Sequence, residues 1–85
     1  MEIVLLPKAK DDLNFWVRAG NKTILKKIGR MIEAITQNPY EGIGNPEPLK
    51  YELSGTWSRR INLEHRLIYE IVKDRLLIHS LKGHY

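Results

Sequence analysis

The hydrophobic period of this sequence changes once, and that change restricts the fold more than any other feature. Over residues 23–38, TILKKIGRMIEAITQN, the residues Ile24, Ile28, Met31, Ile32 and Ile35 fall within one arc of a helical wheel. Lys22, Lys26 and Arg30 recur on the opposite side. The stretch NPYEGIGNPEPLK then brings three prolines and two glycines, which reads as a loop. Beyond it lie short runs rich in strand formers: KYEL, TWSRRINL, HRLIYEIV and RLLIHSL. Turn signals separate them, so they read as an antiparallel meander.

The segment before the helix completes the order. Residues 2–6, EIVLL, read as a strand, and Pro7 suits a first helical position, where its missing N–H costs nothing. Ala9, Leu13, Trp16 and Val17 then recur at helical spacing, and Gly20 supplies a stop. Asn21 or Thr23 can cap the second helix. The expected fold is α+β in the order β-α-α-β-β-β-β, with two helices on one face of an antiparallel sheet. Its other face is left free. At 85 residues, one domain spanning 1–85 is expected.

No cysteine is present, which removes disulfides, thiol chemistry and cysteine–zinc sites together. The apolar run in MEIVLL is too short for a signal peptide or a membrane span, so a cytoplasmic protein without membrane contact is expected. The net charge of +4 suits a polyanionic partner. The row Lys22, Lys26, Arg30 is either a solvated helix face or a phosphate-facing stripe.

Several residues can carry chemistry. Arg60 and Arg66 would project from neighbouring strands, either onto a phosphate-binding face or into modest salt bridges with Glu64 or Glu70. Glu47 stands between Pro46 and Pro48, which hold it near extended or polyproline II geometry. In the latter, Glu47 and Lys50 would point the same way. That arrangement is either a stiffened general base beside a lysine or a surface loop whose prolines limit unfolded-state entropy. His84 is the histidine best suited to proton transfer, whereas His65, at a turn, and His79, in an apolar strand, read as structural. Gly83, immediately before His84, is expected to loosen the segment carrying it. No spacing suits a metal site, so neither metal nor other cofactor is expected.

In order along the chain, EGIGNPEPLK, LSGTWSRRI, EHRLIY and the final HY resemble the YoeB/Txe toxins, within the RelE-like ribosome-dependent mRNA interferases. The resemblance extends to the DDL..W and ILKKI..MI segments. It implies a type II toxin that enters the A site of the bacterial ribosome and cuts mRNA without metal. The 2′-hydroxyl attacks the adjacent phosphate, leaving a 2′,3′-cyclic phosphate and a 5′-hydroxyl. By position, the resemblance makes Glu47 the general base, His84 the general acid and Arg66 the stabiliser of transition-state charge. Lys50, Arg60 and Tyr85 become substrate contacts. It implies an acidic YefM/Phd-like antitoxin as partner and allows a homodimer. The alternative is a non-catalytic ribosome- or RNA-binding inhibitor on the same fold. A DNA-binding repressor fits poorly, because no helix-turn-helix precedes the strands.

Overall fold

In a computed structural model, which describes residues 1–50 and 54–83, the elements are β1 (Glu2–Leu5), α1 (Pro7–Arg18), α2 (Lys22–Gln37), β2 (Glu47–Pro48), β3 (Trp57–Arg60), β4 (Arg66–Val72) and β5 (Arg75–Ser80). The two-helix layer and the sequence of elements are observed, with two corrections: β2 lies within the stretch read as a loop, where pairing with β3 makes it a strand, and the sheet read as antiparallel is mixed. The expected strand in KYEL falls largely on residues 51–53, outside the described residues. The five strands lie in the order β1-β5-β4-β3-β2.

Pairing is antiparallel from β2 through β5, while β1 joins β5 in parallel. No hairpin links β1 to β5; the chain leaves β1 through both helices, so no tight turn dictates the direction. Leu6 N–H extends the pairing to Ile78 O (2.9 Å), and Arg75 Nε donates to Glu2 Oε1 at 2.9 Å across the same seam. Among the described residues, no helix is long and apolar enough to cross a membrane.

Asn21 caps α2, its Oδ1 accepting from Ile24 N–H at 3.1 Å. Ile24, Ile28, Met31 and Ile35 are buried against the sheet, with Ile32 half-buried at the margin. Lys22, Lys26 and Arg30 are exposed, as the wheel places them.

The first helix departs from its expected stripe. Ala9 and Trp16 are buried, but Val17 is 57% exposed and Asp12 is only 7% exposed. Asp12 lies one turn before Trp16, so the buried face runs 9, 12, 16 and leaves Val17 outside it. The carboxylate is tolerated there because it is bonded: Lys8 Nζ and Leu81 N–H donate to its Oδ2 at 2.7 and 2.9 Å.

Candidate functional site

Strand register assembles the site. Glu47 lies opposite Ser58, and Arg60 lies opposite Arg66. Opposed residues of antiparallel strands share a face, as do alternate residues along one strand. Glu47, Ser58, Arg60 and Arg66 therefore stand on the face turned away from the helices. Trp57, Arg59, Leu67 and Tyr69 stand on the helix side.

Arg60 is exposed and Arg66 half-buried. Two cations thus share one register position on this face, an arrangement that an anion between them would favour. Glu47 is a diagonal neighbour of Arg60, a separation of about 7–8 Å between Cα atoms in an ordinary sheet.

The β3–β4 turn fixes Arg66. Asn62 Oδ1 accepts from Glu64 N–H (2.9 Å) and His65 N–H (2.8 Å), closing the turn. Arg66 Nη1 donates to Asn62 O at 2.9 Å and His65 O at 3.3 Å. A cation on a five-atom stem is thereby held to one direction. Its own N–H donates to Gly83 O (3.1 Å), joining the start of β4 to the segment after β5.

Glu47 is in an extended strand rather than a polyproline II turn. The three-residue repeat expected to align it with Lys50 is therefore not the geometry adopted. Lys50 is exposed just beyond Leu49, which is buried and whose N–H donates to Thr56 O at 3.0 Å. Register thus brings Glu47, Arg60 and Arg66 together and does not by itself bring Lys50 with them. His84 and Tyr85 lie outside the described residues.

Residues that sequence reasoning passed over build the supports. Arg59 is fully buried, and its guanidinium reaches three carbonyls of the loop leading to Glu47. Nη2 donates to Asn38 O (2.6 Å) and Glu41 O (3.1 Å), Nη1 to Ile43 O (3.2 Å), and Nε to Tyr69 Oη (3.2 Å). Asn38 is also the C-cap of α2, so the cation sits at the negative end of that helix. Gly44, at φ +84°, lets the loop lie directly on β3; a Cβ there would come within 2.9 Å of Met31 Cε and 3.1 Å of Arg60 O. The signal lies in the run TWSRRINL, where Arg59 alternates in step with Trp57 and Ile61: an arginine on a core face needs acceptors from somewhere.

Tyr69 completes this clamp, accepting from Arg59 and donating to Pro39 O. Burial pushes its phenol above the ordinary tyrosine range, partly offset by the Arg59 hydrogen bond. In the unfolded chain the phenol ionises near its usual value of about 10, while the folded state still holds the proton. The folded state then binds more protons, so stability falls as pH rises through and above that value. Urea unfolding between pH 8.5 and 11 should show this decline, and Tyr69→Phe should flatten it.

The two histidines read as structural are both bonded. His79 Nε2 lies 2.7 Å from Glu70 Oε1, and His65 Nδ1 accepts from Gly83 N–H at 2.9 Å. Gly83, at φ +87°, has both its N–H and its carbonyl engaged.

Comparison with known proteins finds relatives over most or all of the chain. The family described as YoeB-like toxin of bacterial type II toxin-antitoxin system matches residues 6–85. Toxin YoeB of Escherichia coli K12 is 45% identical over 85 residues, covering 100% of both chains. Toxin YoeB of Synechocystis is 54% identical over 70 residues, 82% of this chain and 81% of the relative. A YoeB/ParE toxin from Agrobacterium tumefaciens superimposes with a TM-score of 0.96 at 37% identity, covering 100% of each chain. YoeB in a YoeB–YefM complex from Staphylococcus aureus gives 0.89 at 42%, covering 100% of this chain and 98% of that one.

Proposed function

Because this chain belongs to the YoeB-like toxins of bacterial type II toxin–antitoxin systems, we propose that it is an endoribonuclease cutting mRNA in the A site of the bacterial ribosome. The observation that carries this reading is the opposed pair Arg60 and Arg66, with Glu47 beside it, on the face away from the helices. Two cations, Arg66 held by the turn carbonyls and Arg60 opposite it, are suited to a phosphodiester that gains negative charge during attack, and the diagonal carboxylate is suited to removing a proton next to it.

The balanced step needs no external reactant. Glu47 takes the proton of a 2′-hydroxyl as that oxygen bonds to the adjacent phosphorus. The bond from phosphorus to the 5′-oxygen breaks, and His84 delivers a proton to the leaving oxygen. The products are a 2′,3′-cyclic phosphate and a 5′-hydroxyl. Arg66 stabilises the charge on the non-bridging oxygens through the transition state. Arg60 and Lys50 contact phosphates, and Tyr85 positions substrate.

The relative from Staphylococcus aureus is found with YefM, and another structure from that organism is a YoeB dimer. We assign this chain a corresponding acidic antitoxin that covers its basic surface, in the cytoplasm. Induced expression in a bacterial host should stop growth, and co-expression of the YefM-like protein from the same operon should restore it. An Arg66→Ala variant that still stopped growth would count against the site assignment. Unimpaired growth on wild-type expression would count against toxicity itself.

A further inference from the structure

The segment after β5 is held at Leu81, Lys82 and Gly83, by side chains and by one backbone amide. Leu81 N–H donates to Asp12 Oδ2 at 2.9 Å, and Leu81 O accepts from Trp16 Nε1 at 3.0 Å. Asp12 and Trp16 stand one turn apart on α1, so a single helix face holds both backbone polar groups of one residue, Leu81. Lys82 O accepts from Lys8 Nζ at 3.2 Å and Ser80 Oγ at 3.1 Å. Gly83 is held last, its N–H by His65 Nδ1 (2.9 Å) and its carbonyl by the N–H of Arg66 (3.1 Å).

Packing at His65 makes that grip directional. Its ring meets Trp16 edge to face, with centroids 4.8 Å apart. Trp16 therefore anchors Leu81 with its indole N–H and orients the imidazole that anchors Gly83. Accepting from an amide requires Nδ1 to be unprotonated, so the neutral ring carries its proton on Nε2. His84 follows Gly83 directly in the sequence, and Arg66 is bonded to Gly83.

We propose that His65 is a positioning residue for the cleavage reaction: its Nδ1 fixes the Gly83 peptide, from which the chain passes directly to His84 in the sequence. This rests on the reading of the protein as an endoribonuclease with His84 as its acid. The role is distinct from proton transfer, because the accepting nitrogen is already occupied by the backbone. It follows from the geometry that removing the acceptor while keeping the ring should misplace the acid without opening the core. Displacements on the order of 1 Å in a reacting group reduce rates by up to roughly 100-fold.

The test compares His65→Phe with His65→Asn in ribosome-dependent cleavage, alongside amide hydrogen exchange at Gly83. Phenylalanine keeps a ring against Trp16 but offers no acceptor; asparagine places an oxygen near the position of Nδ1. His65→Phe should lower kcat about 10–100-fold at nearly constant KM and speed Gly83 exchange. His65→Asn should recover most of kcat and most of the protection. Nitrogen chemical shifts of His65 in the wild type should report the Nε2–H tautomer. Wild-type cleavage with His65→Phe equally active overturns the inference alone, and so does equal impairment of both variants, which would assign the effect to packing. Wild-type protein that fails to cleave removes the endoribonuclease reading, and the positioning role with it.

Discussion

Glu47→Gln should lower the rate of mRNA cleavage by about 10²–10⁴-fold, the range typical for loss of a general base. The substitution keeps size and shape, removes the negative charge and with it the ability to take a proton, and turns one acceptor oxygen into a donor. Glu47 is exposed, on a two-residue strand whose pairing with β3 runs through the backbone. Stability should therefore stay within about 0.5 kcal/mol of the wild type, the usual range for a surface change. Binding to ribosomes should also persist, because the cations remain in place. If the variant cleaves at the wild-type rate, Glu47 is not the base. If it cleaves slowly and also unfolds early, the loss is structural. Single-turnover cleavage and thermal melting together distinguish the outcomes.

Arg59→Met should remove a large part of the protein's stability. The methionine fills much of the same volume but leaves the carbonyls of Asn38, Glu41 and Ile43 and the Tyr69 hydroxyl without their donor. Each buried acceptor abandoned in this way costs about 1–3 kcal/mol unless water reaches it. The loop lies at the surface, so water recovers part of the loss, and a total of roughly 3 kcal/mol is expected. For a domain of this size that lowers Tm by about 10–25 °C. The same change frees the loop that leads into Glu47, so cleavage should fall even at temperatures where the variant is folded. Were Arg59→Met as stable as the wild type, the clamp would have no energetic role.

These two residues mark what was legible in the sequence and what was not. The second helix was fully readable, because five apolar residues in one arc and an asparagine before them leave little freedom. The prolines around Glu47 signalled constraint, but short local signals did not distinguish an extended strand from polyproline II; pairing with Ser58 decided it. The opposed arginines were placed on neighbouring strands by sequence, while the residue-for-residue register that sets them face to face needed the turn built by Asn62. Arg59 stood on the core side of the alternation and was passed over because its partners are backbone carbonyls about 16–21 residues away. Nothing local announces those. Asp12 was half hidden in the same way: Lys8 is one turn away, but the N–H of Leu81 that it also binds is 69 residues distant. Long-range bonds between a side chain and a backbone group leave no periodic trace.

The salt dependence of antitoxin binding follows from charge. A net charge of +4, with Lys22, Lys26 and Arg30 exposed along one helix, favours an acidic partner whose attraction is screened as ionic strength rises. Association rates measured between 50 and 500 mM salt should decline steadily.

The most direct measurement is cleavage of an end-labelled mRNA by the purified protein, with and without programmed ribosomes, followed by mapping of the new ends. The account predicts cuts that depend on the ribosome, carry a 5′-hydroxyl on the downstream fragment and disappear with His84→Ala. Intact mRNA on ribosomes whose translation is nevertheless blocked would contradict it, and would make the protein an inhibitor that acts by occupancy.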